Sequence, residues 1–256
     1  MGWEEILAEE DYNLYRKNIS LLEEQVLNNF IQSFYAPDIL SAIRKVPRHL
    51  FVSESYRYMA YTDNAIPTYG GLTTSAPSVI AEMIYASGIK KGEKLLEIGT
   101  GTGYEAAVLC EMGVNVFTIE INGYLAKKAN KLLSTLGYKI DNEIKDKRRK
   151  REMLAKYYDI RKIFPERGTV RLFMGNGQFG LKRYAPYRAI IIAASVPQLH
   201  YITQIMEQLD ENEGKLVVPV GKIHNQQLCI IERKGKRFST SVLEGITLDF
   251  VRLFRE

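Results

Sequence analysis

Cysteine is scarce in this chain of 256 residues: there are two, Cys110 and Cys229, set in AAVLCEM and QQLCII. Apolar neighbours mark both as buried small side chains, which excludes a disulfide framework. Histidine is nearly as rare, with three at His49, His200 and His224. They are scattered, so no Cys/His cluster exists for a structural zinc, and no metal is expected. Long apolar runs are missing too. Nothing approaches the roughly 18 residues needed to cross a bilayer, and no membrane contact is expected. The opening MGWEEILAEEDYNLYRK is acidic and has no apolar core, so it is not read as a secretory signal. Position 6 is Ile6, where a myristoylation site wants Ser or Thr. The cytoplasm is the expected compartment. No internal repeat or low-complexity tract is present.

What is present is ordinary globular material, 46% hydrophobic and 25% charged. That excludes a disordered or collagen-like chain. The length suits one large domain or two small ones, and we read residues 1–256 as one domain. The charge of +5 is uneven. Segment 139–168 holds 11 Lys/Arg and 6 Asp/Glu, with KDKRRKR at its centre, and the remainder is neutral. A general nucleic-acid binder would show a broader surplus. The segment reads as a solvated helix face or loop, with a patch for RNA, an anionic surface or an acidic partner as the alternative. Met153, Tyr157, Ile160 and Phe164 follow helical spacing, so this insertion is expected to hold an amphipathic helix.

Along the chain, residues 1–45 read as a helical region. Its long helix spans 4–34, with Leu21, Leu22, Val26, Phe30 and Ile31 as the apolar face, and ILSAIRKV follows. Residues 48–77 are rich in Pro, Gly, Thr and Tyr and read as irregular. A stretch of that length without pattern is often functional. SVIAEMIYASGI then reads as a helix ending near Gly88. From residue 93 strands and helices alternate: strand EKLLEIG, helix YEAAVLCEMG, strand VNVFTIE, helix GYLAKKANKLLSTLG. After the basic segment come strands TVRLFMG, RAIIIAAS and KLVVPVG, with VPQLHYITQIMEQL as a helix between the last two. QQLCIIERKGKRFSTSVL reads as a hairpin and ITLDFVRLF as a final strand. The alternation predicts an α/β fold with a largely parallel sheet, helices on both faces and an antiparallel edge.

The most informative stretch is LLEIGTGTGYEAAV, a buried strand that runs through Gly99, Gly101 and Gly103 into a helix. Glycines permit tight turning and close ligand approach. The helix start adds partial positive charge and free N–H groups. The phosphate loop GxxxxGK[ST] is absent. The dinucleotide fingerprint GxGxxG fails because its third glycine position is Tyr104. An acid, Glu97, followed by three alternate glycines resembles motif I of the S-adenosylmethionine-dependent methyltransferases. Glu120 ends the next strand, ~20 residues on, where a carboxylate accepts from ribose hydroxyls. The alternative is a glycine turn kept for strand–helix packing.

Further segments narrow the resemblance. VPRHLFV, AYTDNAIPTYGGLTTSAP, the glycine turn, GNGQFG, APYRAIIIAASVP and VVPVG occur in that order. The series resembles the protein-L-isoaspartate O-methyltransferase family over about residues 20–138 and 169–256. The resemblance implies a seven-stranded Rossmann-like methyltransferase sheet. It implies methyl transfer from S-adenosyl-L-methionine, leaving S-adenosyl-L-homocysteine, to the α-carboxylate of isoaspartyl residues in damaged proteins or peptides. The ester then collapses to a succinimide that reopens partly to aspartate. By the same resemblance Ser75, within Thr73-Thr74-Ser75, is the active-site serine. Gly99, Thr100 and Gly101 line the methionine and ribose side, Glu120 holds the ribose, and Asn176 and Gly177 lie at the adenine. Thr73, Thr74, Glu97 and Gly103 are counted with the cofactor residues. On local sequence alone Ser75 reads first as a turn or cap serine before Pro77, and the resemblance reverses that order. His49 reads as a packed structural histidine, since a carboxylate nucleophile needs no base. Asp63 reads as a turn cap or as a group orienting the Thr-Thr-Ser loop.

The chain departs from the family pattern at Asn176, where GDG is usual, and at Leu72 and Thr74 within GQTIS. Arg252 stands in a closing V-P-L strand, so Val251 and Arg252 are candidate acceptor-side residues. These changes leave two alternatives: a carboxyl methyltransferase for a different peptide carboxylate, or an inactive cofactor-binding protein that works through the basic insertion.

Overall fold

Helix α1 (Glu9–Asn29) follows a single 3-10 turn at Trp3–Glu5. The structure is a computed structural model that describes residues 3–30, 36–138, 163–222, 224–246, 248 and 250–253. The buried side of α1 is Ile19, Leu22 and Val26, with Phe30 next. Leu21, expected on that side, is 52% exposed because it sits about 100° round the helix from Leu22. Ile31 lies outside the described residues. Helix α2 (Pro37–Lys45) starts on a proline, whose missing N–H costs nothing in the first turn.

Residues 48–77 hold no long element. They form 3-10 turns at Arg48–Phe51, Glu54–Met59 and Tyr69–Gly71, and a short hairpin of β1 (Ile66–Pro67) and β2 (Thr73–Thr74). Helix α3 (Pro77–Ser87) comes next and closes on Gly88 in the left-handed region.

The rest builds one sheet: β3 (Lys94–Ile98), α4 (Tyr104–Glu111), β4 (Asn115–Glu120), α5 (Gly123–Thr135), β5 (Thr169–Met174), β6 (Ala189–Ile192), α6 (Thr203–Met206), β7 (Lys215–Lys222), β8 (Asn225–Lys234) and β9 (Arg237–Leu243). The seven strands lie in the order β5-β4-β3-β6-β7-β8-β9. The five from β5 to β7 are parallel, and β8 and β9 add an antiparallel edge. Both faces of the central strands are covered, so buried residues follow one another without alternation, as in Leu95–Ile98 of β3 and Ala189–Ile192 of β6. Leu22, Val26, Ile84, Val108 and Leu133 form the core on one face. Leu96, Ile190, Ile192, Ile205 and Leu209 form it on the other. Each such side chain contributes about 1.5–3 kcal/mol. Cys110 and Cys229 are buried, and neither is in a disulfide.

Two expected elements are corrected. ITLDFVRLF is not a final strand: among the described residues it makes one bridge, Arg252 beside Ser195. The sheet edge is already taken by β9, and the segment pairs with the loop after β6 instead. Ser195 N–H donates to the Val251 carbonyl at 2.8 Å, and Leu253 N–H to the Ser195 carbonyl at 2.8 Å. The helix expected over 196–209 is a 3-10 turn, Leu199–Ile202, followed by the single turn of α6.

The Met153, Tyr157 and Ile160 stripe of the basic segment lies outside the described residues. The segment's end is described: Pro165 and Glu166 are exposed, and the chain turns inward at Arg167. The Arg167 guanidinium is buried, 2.6 Å from Glu111 Oε1 and 3.5 Å from the centre of the Phe164 ring. Tyr138 Oη donates to the same Glu111 oxygen at 2.7 Å.

Candidate active site

Strand order reverses at β3, which has β4 on one side and β6 on the other. Open α/β sheets leave a crevice at that point, beyond the strands' carboxyl ends. Here a cavity of about 1070 Å³ occupies it, lined by residues that follow β3, β4 and β6.

The glycine turn forms its floor. Gly99, Gly101 and Gly103 all have positive φ (102°, 54° and 88°), which explains why glycine stands at alternate positions. Gly99 and Gly101 line the cavity, and a Cβ on Gly101 would meet nothing within 4 Å. Gly103 does not line it. It precedes α4 and faces α5, where a Cβ would come 3.1 Å from Leu133 Cδ1, so its part is strand–helix packing. Glu120 is 4% exposed at the end of β4. Its Oε2 accepts from Gly101 N–H at 2.8 Å and its Oε1 from Asn122 N–H at 2.7 Å. The carboxylate is thereby fixed, and each oxygen keeps a lone pair for a ligand hydroxyl.

Thr100 and Glu97 join through Thr118. Thr118 Oγ1 donates to Glu97 Oε2 at 2.5 Å, and its one proton being used, it accepts from Thr100 Oγ1 at 2.5 Å. Glu97 is fully buried. Burial first, then the charge of Glu105, holds its carboxyl well above the usual carboxylate range.

Asn176 and Gly177 also line the cavity. Asn176 caps the turn Gly177–Phe179, its Oδ1 accepting from Gln178 N–H at 2.9 Å. Gly177 packs so tightly that a Cβ would lie 2.5 Å from Ile98 Cγ2.

Thr73, Thr74 and Ser75 bring the irregular stretch into the same cavity, as do Val251 and Arg252 from the chain's last described residues. The geometry that holds Ser75 centres on Arg48, wholly buried. Its Nη1 donates to the carbonyls of Ala60 (3.1 Å) and Thr62 (2.8 Å), and its Nη2 to those of Asn64 (2.8 Å) and Ser75 (3.1 Å). The guanidinium carbon lies 5.4 Å from the centre of the Tyr104 ring. Asp63 stays outside the cavity wall. Its Oδ1 accepts from Ser78 N–H at 2.8 Å, in the first turn of α3, and its Oδ2 from Asn29 Nδ2 at 2.7 Å, so it is a cap. His49 is buried against Tyr61 (Nδ1 to Oη 2.6 Å) and Asp11 (Nε2 to Oδ1 3.5 Å), also away from the cavity.

Three residues at or behind the cavity wall escape sequence reasoning: Arg48, Glu105 and Tyr201. Glu105 and Tyr201 line the cavity. Glu105 had a faint signal, being an acid at the start of a helix that is otherwise apolar to Cys110. Arg48 lay within VPRHLFV without being singled out, and Tyr201 had no signal.

The groups present suit an adenosyl cofactor: an open glycine floor, and acceptor oxygens in a fixed carboxylate at a strand end and in buried acids at the cavity wall. Comparison with known proteins agrees in family. A family model described as protein-L-isoaspartate(D-aspartate) O-methyltransferase matches residues 17–254. A protein-L-isoaspartate O-methyltransferase 2 of Shewanella sediminis is 35% identical over 81% of this chain and 72% of its own length. A protein-L-isoaspartate O-methyltransferase of Gloeobacter violaceus is 37% identical over 77% of this chain and 82% of its own. The fold is shared with a structure described as the Plasmodium falciparum enzyme in complex with S-adenosyl-L-homocysteine, at TM-score 0.67 and 20% identity, over 93% of this chain and 99% of that one. With the motif order of its sequence and a family match across almost its whole length, the chain belongs to the protein-L-isoaspartate(D-aspartate) O-methyltransferase family.

Proposed function

We propose that this protein transfers a methyl group from S-adenosyl-L-methionine to the α-carboxylate of L-isoaspartyl residues in damaged proteins and peptides, as a cytoplasmic repair reaction. One observation carries the reading: the glycine turn with Glu120 and the Ser75 loop with Arg252 share one cavity.

The cofactor supplies an electrophilic methyl group on a sulfonium. The protein's work is to bind, aim and keep out water. Glu120 accepts the two ribose hydroxyls through its free lone pairs. Asn176 Oδ1, with one lone pair engaged, offers the other to the adenine amine. Gly99 and Gly101 let the cofactor lie against bare backbone. The acceptor carboxylate is already ionised at neutral pH, so no general base is required. Ser75 donates one hydrogen bond to it and sets its angle of approach. Arg252 draws an anionic acceptor toward the rim.

The test is transfer from labelled S-adenosylmethionine to an isoaspartyl peptide, with the aspartyl peptide as control. Transfer to the isoaspartyl peptide alone is expected. Ser75→Ala should lower kcat by about 10–100-fold, the cost of misaiming a nucleophile, with cofactor affinity unchanged. Transfer to neither peptide, or equally to both, would discard the repair reading.

A further inference from the structure

The main sheet ends at β9. No described strand lies beyond it, and six of its seven residues are exposed. Native sheets protect such an edge with a proline, a bulge or charges along its length. β9 reads Arg-Phe-Ser-Thr-Ser-Val-Leu and holds no proline and no acid. It pairs with β8 without a bulge, from Arg237 opposite Lys234 to Leu243 opposite Leu228.

The aim of its backbone groups follows from β8. Arg233 N–H donates to the Gly214 carbonyl at 2.8 Å, away from β9, so the Arg233–Phe238 pair exchanges no bonds. Bonded and non-bonded pairs alternate along an antiparallel ladder. Ile231–Thr240 and Cys229–Val242 are therefore non-bonded too. The N–H and C=O groups of Phe238, Thr240 and Val242 thus point to the open side. Lys236 and Glu244, both exposed, continue the same two-residue spacing at either end.

This edge is complementary to itself. Turned about a twofold axis at Thr240, the series Lys236, Phe238, Thr240, Val242, Glu244 meets its own reverse. Thr240 faces the partner's Thr240, Phe238 faces the partner's Val242, and Lys236 faces the partner's Glu244. Ser239 faces the partner's Ser241 on the other side of the sheet. Thr–Thr, aromatic–β-branched and opposite-charge pairs are those that stabilise antiparallel neighbours. Phe238 and Val242 are 39% and 42% exposed, so both have apolar surface left to cover. A shift of two residues sets Phe238 against the partner's Glu244, or Lys236 against the partner's Val242, which fixes the register.

We propose that β9 pairs antiparallel with β9 of a second copy of this chain, centred on Thr240, and joins two seven-stranded sheets edge to edge. The contact uses the same surface on both copies, so it closes at two. One strand edge is a small interface, and the dimer is accordingly a weak one.

Sedimentation velocity of the full chain in low salt, from about 5 to 500 µM, should show the mass rise from one chain toward two, as a small interface requires. Thr240→Pro removes an N–H that points outward and leaves the β8–β9 bonds in place. It should stay a single chain at every concentration while its circular dichroism matches wild type. Glu244→Lys and Lys236→Glu each bring like charges face to face and should weaken association about fivefold or more. Mixing these two single variants restores both opposite-charge pairs and should restore association. Thr240→Cys should oxidise to a covalent dimer, whereas Arg237→Cys, about 20 Å from its mate in this register, should not. A single-chain mass for wild type throughout would overturn the proposal. So would a dimer that persists in folded Thr240→Pro. Charge variants that associate like wild type, or cross-linking through Arg237→Cys in place of Thr240→Cys, would overturn the register.

Discussion

The guanidinium of Arg48 collects four carbonyls that no strand or helix claims. Two of them, on Asn64 and Ser75, flank the β1–β2 hairpin, so the arginine ties the serine loop to the turn before it. Lysine has one donor centre and no planar fork, and it cannot serve four acceptors in this arrangement. We expect Arg48→Lys to destabilise the protein by about 2–4 kcal/mol in urea denaturation, since buried carbonyls lose their donors. Turnover of an isoaspartyl peptide should fall while affinity for S-adenosyl-L-homocysteine holds, because the glycine turn does not touch Arg48. Unchanged kcat in a folded variant would separate Arg48 from Ser75. At this scale the sequence was only partly readable. Ser75, Glu120 and Gly99 sit within local motifs and were found there. The use of Arg48 depends on carbonyls from residues 60, 62, 64 and 75 meeting in space, and no short pattern encodes that. Gly103 matched the motif, yet its glycine serves the packing of α5.

Helix α4 shows the same limit one level up. Its strand–turn–helix context was legible because alternate glycines and an apolar run are local signals. Every residue of the helix is buried, including Glu111 at its end, and that burial is a tertiary fact. Glu111 meets Arg167 and Tyr138, and the Arg167 guanidinium also lies near the rings of Phe164, Tyr138 and Trp3 (3.5, 4.4 and 4.7 Å). Arg167→Met removes the cation and leaves a buried carboxylate, at a cost of about 3–5 kcal/mol. Adding Glu111→Leu removes the carboxylate too. Guanidinium denaturation is expected to find the double variant more stable than Arg167→Met alone. A double variant less stable than the single would mean that the pair is not the main tie. The closing strand was misread for a related reason. ITLDFVRLF has strand-like composition, but strand formation needs a partner strand, and among the described residues its backbone meets Ser195 and the side chain of Gln226 instead.

For the molecule as a whole, two buried groups bias stability in opposite directions of pH. Glu105, raised from 4.5 to about 8 by burial, contributes stability that is full below the unfolded value and lost as pH rises toward 8. His49, lowered from 6.5 to about 4 by burial and then by Arg57, contributes stability that is full above 6.5 and lost as pH falls toward 4. Without cofactor, Glu105→Gln should therefore melt increasingly above wild type from pH 5 to pH 8.5. A constant difference in Tm across that range would contradict the burial argument. The general plan of the sheet was the most legible feature of all, since repeated strand–helix alternation admits few arrangements.

The pairing of Val251 and Leu253 with Ser195 bears on when the protein becomes competent during its synthesis. Ribosomes deliver the chain from the N-terminus, and the glycine turn, Glu120 and Ser75 emerge well before the meander of β7, β8 and β9. The part of the cavity wall at Val251 and Arg252 is translated after all seven strands of the main sheet. That stretch is therefore the last part of the cavity wall to be synthesised.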